Sequence, residues 1–119
     1  DDVGQFRSVL RSGLREAMKG RNAPAVSALR SLLAAIDNSE AVHGVPAGAT
    51  NESEHVAKAA LGVGSAEAER RSLTSEELRE ILRSEIGERT AAAAEYEAHG
   101  RQDAAERLHA EVAVLTRYV

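Results

Sequence analysis

From Val3 to Ala17 the apolar residues Val3, Phe6, Leu10, Leu14 and Ala17 recur at spacings of three and four. That rhythm lines them along one face of an α-helix over 3–19, whereas a strand would scatter them over both of its faces. Gly20 then offers a C-terminal stop. Asn22 and Pro24 supply a new start, because Asn caps free N–H groups and Pro loses nothing in a first helical turn. A second helix over 23–41 buries Val26, Leu29, Leu32, Leu33 and Ile36. Composition agrees with this reading. Ala, Leu, Arg and Glu dominate, Trp is absent, and two Tyr and one Phe leave a β-sheet little to pack with.

The C-terminal half repeats the pattern with clearer boundaries. Thr74 and Glu77 form a T-x-x-E capping box, and Leu73 and Leu78 occupy the flanking staple positions, so a third helix is expected over 75–99, ending at Gly100. A fourth, over 102–118, buries Ala105, Leu108, Val112, Leu115 and Val119. Between the halves, a link of about 44–72 carries Gly44, Pro46, Gly48, Gly62 and Gly64. Inside it Asn51 and Glu54 resemble a second capping box, and Val56, Ala59 and Ala60 outline a short helix. The expected fold is one all-α domain over 1–119: two helical hairpins, four main helices, joined by a long Gly-containing link.

Several functions are excluded at this level. With 119 residues and no Cys there is no disulfide framework, thiolate zinc site, iron–sulfur cluster or cysteine nucleophile. His43, His55, His99 and His109 lack the spacing of metal ligands, and no Gly-rich phosphate loop or aromatic base-stacking platform is present, so neither a metal nor a cofactor is expected. No run approaches the ~18 apolar residues of a membrane span. The acidic Asp1-Asp2 start does not resemble a signal peptide, which makes the cytoplasm the expected location.

Two charge patterns stand out from this background. Projected at ~100° per residue, the third helix places Leu78, Ile81, Leu82, Ile86, Ala92, Ala93 and Tyr96 on one arc, with Glu85 and Arg89 near its middle. A Glu–Arg pair at i, i+4 where a core should be is either a satisfied internal ion pair or part of a wet interhelical groove. On the first helix, Arg7, Arg11, Arg15 and Lys19 recur every four residues, a ladder suited to phosphates. The formal net charge of −4 therefore hides a basic first helix and an acidic third. Those two match each other internally, or the basic edge serves nucleic acid.

The run Ala28-Leu29-Arg30-Ser31-Leu32-Leu33-Ala34-Ala35-Ile36-Asp37-Asn38 resembles the signature helix of the GatB/YqeY family. A second block is similar to the family's E-x3-R, Y/F-x3-G-R-x-D and A-E-x3-L-x2-Y pattern: Glu85 to Arg89, Tyr96 to Asp103, and Ala110 to Tyr118. By matching position the resemblance implies Arg30, Asn38, Glu85, Arg89, Tyr96, Gly100, Arg101, Asp103 and Glu111 as family residues. Gly100 also has a plain role as a C-cap, and Asp103 as an N-cap or first-turn acid. Longer members continue beyond the equivalent of Tyr118 into a second small helical domain, so a short form is expected.

The family resembles the C-terminal part of the B subunit of the glutamyl/aspartyl-tRNA amidotransferase, where the corresponding region helps engage tRNA. The resemblance thus implies a non-catalytic accessory or binding domain, with Arg30, Asn38, Glu85, Arg89, Tyr96, Arg101, Asp103 and Glu111 as candidate binding residues. Arg7, Arg11, Arg15 and Lys19 are candidate phosphate contacts. A protein-interaction module is the alternative. Participation in carbon–nitrogen ligase chemistry, with glutamine as amido donor, attaches to the family by association; the sequence offers neither a Cys nucleophile nor a recognisable ATP site for it. The partner is expected to be tRNA or a protein.

Overall fold

The computed structural model describes residues 2–44 and 73–119. Four helices occupy them: α1 (Asp2–Lys19), α2 (Ala23–Gly44), α3 (Ser75–Ala98) and α4 (Gln102–Thr116). The expected link and its short helix fall on 45–72, outside the described residues. The fold is all-α, with α1 against α2 and α3 against α4 as two hairpins; α2 also packs on α4, whereas α1 barely meets α3. The hairpins are therefore joined chiefly through α2.

Local chemistry explains where each helix starts and stops. Asn22 Oδ1 accepts the Ala25 N–H at 3.2 Å, capping α2. Thr74 Oγ1 accepts the Glu77 N–H at 3.1 Å, and Glu77 Oε1 accepts the Thr74 N–H at 2.8 Å, which completes the capping box of α3. Leu73 and Leu78 are both buried beside it. At the end of α3, the Arg101 N–H reaches the Tyr96 carbonyl at 2.8 Å and the Gly100 N–H reaches Glu97 at 3.1 Å, with Gly100 at φ 75°. This is a Schellman stop, which needs a left-handed residue, and Gly supplies one without steric cost.

The end of α1 departs from expectation. The Asn22 N–H bonds to the Ala17 carbonyl at 2.9 Å and the Arg21 N–H to Met18 at 3.2 Å, the same Schellman pattern. Here the left-handed position is held by Arg21, at φ 55°, and Gly20 sits one place too early to relieve it. A side chain in that conformation costs about 1–2 kcal/mol relative to a right-handed one. Two further corrections concern the helix ends. Helix α2 continues three residues past Ala41, to Gly44, so Asn38 is an exposed residue within the helix. Helix α4 stops at Thr116, and Val119, expected in the core, is 70% exposed because it lies beyond the last helical turn.

The core is built from Val3, Leu10, Ala28, Leu29, Leu32, Ile36, Leu73, Leu78, Leu82 and Leu115, with Phe6, Leu14, Leu33 and Ile86 packed against it. Complete burial of one Leu or Ile contributes about 1.5–3 kcal/mol, so Leu10, Leu29, Leu32, Ile36 and Leu115 dominate its stability. Phe6 meets Tyr118 edge-to-face, with ring centroids 6.3 Å apart. No described helix is long and apolar enough to cross a membrane.

Candidate functional site

The Glu–Arg pair on the apolar arc of α3 faces inward. Arg89 Nη1 donates to Glu85 Oε1 at 3.0 Å and to the Glu85 carbonyl at 3.0 Å, and Arg89 Nε donates to Glu111 Oε1 on α4 at 2.8 Å. The Ser31 hydroxyl on α2 donates to the same Glu85 oxygen at 2.8 Å. The side chains of Glu85, Arg89 and Glu111 keep only 13%, 12% and 7% of their exposure. Burial alone would lower the Arg89 pKa; its hydrogen bonds to Glu111 and Glu85, with their charges, outweigh that and hold it above the usual arginine value. The cluster is a buried strut tying α2, α3 and α4, whose three charged members are engaged with one another.

The α3–α4 turn accounts for a second group of expected residues. The Arg101 guanidinium lies 5.6 Å from the centre of the Tyr96 ring, a cation–π contact between the two ends of the Schellman stop around Gly100. Arg101 Nε also reaches Asp103 Oδ1 at 3.5 Å. Asp103 lies in the first turn of α4, and Arg101, the N-cap residue, makes no side-chain cap. The Ala104 N–H, then the charge and hydrogen bond of Arg101, hold the Asp103 carboxyl below its usual value. Tyr96, Gly100, Arg101 and Asp103 thus form one turn, apart from the strut.

The cations divide sharply. On α3, Arg79 pairs with Glu76, Arg83 with Glu80, and Arg89 with Glu85 and Glu111, so the acidic helix neutralises its own arginines. On α1, Arg7 Nη2 contacts both Asp37 and Glu40 of α2 at 2.7 Å. Burial pulls against the charged form of Arg7, but these two carboxylates leave its pKa raised. That engages the first rung of the basic ladder, and it does so with α2, not α3. Arg11, Arg15 and Lys19 remain exposed.

Arg30 does not join the strut. It lines an open groove of about 700 Å³ with Arg21 from the α1–α2 turn and Arg107 from α4, over Met18, Val26 and Ser27. Among the described residues no carboxylate pairs with any of these three arginines. Asn38, exposed on α2, lines neither this groove nor the strut. Sequence reasoning does not single out Ser31, Arg21 or Arg107 as site residues. For Arg21 the local signal is the displaced Gly20. Arg107 and Ser31 have none, because their roles depend on α2 packing against α4 and α3.

The fold and these two clusters define a small all-α domain with an ion-paired interior and an arginine-lined groove on its surface, and among the described residues no group of His, Asp or Glu could hold a metal ion. Residues 54–119, more than half of the chain, match the family described as Yqey-like protein. The chain belongs to that family. The matched stretch contains α3 and α4, and with them Glu85, Arg89, Tyr96, Gly100, Arg101, Asp103 and Glu111. No curated protein and no solved structure gives a significant match.

Proposed function

We propose that this domain is a non-catalytic binding module that engages RNA, with tRNA as the partner class to which the family resemblance points and the cytoplasm as the place of encounter. The observation that carries the proposal is the groove: Arg21, Arg30 and Arg107 converge on one open surface without a carboxylate partner among the described residues. Guanidinium groups suit phosphate because their planar forks donate two parallel hydrogen bonds to its oxygens. Arg11, Arg15 and Lys19 add exposed cations along α1, the helix that leads into the α1–α2 turn. The buried Glu85–Arg89–Glu111 cluster serves in this reading as the scaffold that holds α2 and α4 at the groove.

Titration of labelled tRNA across a range of salt concentrations tests the proposal. Affinity should fall as salt rises, and each of Arg21→Gln, Arg30→Gln and Arg107→Gln should reduce the log–log slope by about 0.7–0.9, the value of one neutralised phosphate. Absence of binding at low salt, or binding indifferent to salt, overturns it. A second reading, a protein-interaction module, is favoured by an apolar groove among Phe6, Val9, Leu78, Leu82 and Tyr118, where Val9 is 53% exposed. Retention of a specific protein after nuclease treatment supports that reading instead. Glutamine- or ammonia-dependent amidation by the purified chain would establish the ligase alternative.

A further inference from the structure

The geometry points to the groove between the α1–α2 turn and α4 as a subsite for a single nucleoside 5′-monophosphate unit, a phosphomonoester with its attached base. This deepens the RNA-binding reading and shares its groove, but it names the ligand chemistry and fails separately.

Three observations converge on it. First, three arginines from three different parts of the fold, Arg21 in the α1–α2 turn, Arg30 on α2 and Arg107 on α4, line one concavity. Such a cluster suits the two charges of a phosphomonoester better than the single charge of a bridging phosphodiester. Second, the wall between them is apolar: Met18, half exposed, and Val26 offer a surface against which a flat base packs, while Ser27 adds a hydroxyl able to donate or accept at a base edge or ribose. The groove is open, with about 700 Å³ of space beside these residues, so a ligand there stays partly in solvent. Third, Arg21 holds a left-handed backbone at a position where Gly would be relaxed. That backbone brings Arg21 to the same groove as Arg30 and Arg107, and none of the three pairs with a carboxylate among the described residues.

The start of α2 does not do this work by itself. Pro24 has no N–H, the Ala25 N–H is taken by Asn22 Oδ1, and the Val26 N–H by the Asn22 carbonyl at 3.0 Å. The anion's charge therefore falls to the guanidinium groups.

The unit has two sources, a free nucleotide or the 5′ end of an RNA strand. Titrations at low salt with adenosine 5′-monophosphate, adenosine, inorganic phosphate, and one short RNA strand with a 5′-phosphate or a 5′-hydroxyl distinguish them. Binding is followed by the NMR shifts of the arginine Nε–H groups and by calorimetry. The monophosphate should shift Arg21, Arg30 and Arg107, adenosine should not bind measurably, and inorganic phosphate should bind at least fivefold more weakly than the monophosphate. Arg30→Gln and Arg107→Gln should each weaken the monophosphate at least fivefold, with circular dichroism unchanged, whereas Arg83→Gln on α3 should leave it unaltered. A 5′-phosphorylated strand at least tenfold tighter than both its 5′-hydroxyl form and the free nucleotide identifies an RNA end; equal affinity of strand and nucleotide identifies the free nucleotide. If the two strands bind alike and the monophosphate shifts none of the three arginines, the subsite is overturned while RNA binding stands. If the strands and tRNA do not bind but the monophosphate shifts the three arginines, the RNA reading falls and the subsite stands for a free nucleotide; if none of them binds, both readings fall. Inorganic phosphate binding as tightly as the monophosphate overturns the nucleotide assignment.

Discussion

Arg89 Nε donates to Glu111 Oε1 across the α3–α4 interface at 2.8 Å, and Glu111 is a buried charged residue only 6% exposed. Arg89 also holds Glu85, so removal of this one cation leaves two nearly buried carboxylates without their cation, Glu85 keeping only the Ser31 hydroxyl. Breaking a buried pair from one side costs about 3–5 kcal/mol, far more than the pair itself contributes. Arg89→Ala should therefore destabilise the domain by about that amount in urea denaturation. The triple replacement Glu85→Leu, Arg89→Met, Glu111→Leu should recover most of the stability, because no unpaired charge remains. A small effect of Arg89→Ala would mean that water reaches the strut.

Gly13 lies within α1, where Ala is normally favoured by about 0.5–1 kcal/mol. A Cβ at this position would sit 2.6 Å from the Tyr118 hydroxyl oxygen and 3.4 Å from Leu29 Cδ1. Gly13→Ala should reverse the usual sign and destabilise by about 1 kcal/mol, by displacing a ring packed on Phe6. Removing only the offending atom should restore the gain, so Gly13→Ala with Tyr118→Phe should melt above Gly13→Ala alone. Equal melting temperatures for the two would refute the contact.

The backbone of Arg21 offers an opposite trade. Arg21→Gly relaxes the left-handed position and should raise stability by about 1 kcal/mol. The same change removes a cation from the groove, so tRNA affinity should fall as the melting temperature rises. A variant less stable than the parent would show that the Arg21 side chain, not the backbone, dominates the turn.

Asp103 sets an acid-limb expectation. Its carboxyl is held below the usual value, first by the Ala104 N–H and then by Arg101, so the folded state binds its proton less readily than the unfolded chain. The resulting stabilisation is complete above the unfolded aspartate pKa of about 3.9 and is lost as pH falls through the lower folded value. Carboxyl NMR should place Asp103 below free aspartate, and Asp103→Asn should remove this contribution to the fall in stability below about pH 4. An Asp103 titrating at or above the free value would contradict the first-turn assignment.

Much of the architecture is legible locally. The three–four spacing from Val3 to Ala17, the Thr74–Glu77 box, the Asn22 cap and the Gly100 stop each act over a few residues, so the helices and their limits follow from short-range rules. Glu85 and Arg89 are legible as an anomaly, since two charges on an apolar arc need either an internal ion pair or a wet groove. Val119 escapes these rules because the apolar periodicity runs on past a helix that ends at Thr116.

Local patterns therefore establish the helical class, the boundaries set by caps, and two charges on an apolar arc that fit either an internal ion pair or a wet groove. Only the tertiary structure decided who satisfies them. Glu111 stands 22 residues from Arg89, and Ser31 stands 54 from Glu85, so neither partnership leaves a mark in local spacing. The groove has the same origin. Arg30 and Arg107 converge because α2 packs on α4, and Arg21 joins them because the α1–α2 turn places its left-handed residue one position after Gly20. Side-chain periodicity dictates which face of a helix turns inward; the crossing of one helix over another dictates which distant side chains meet there.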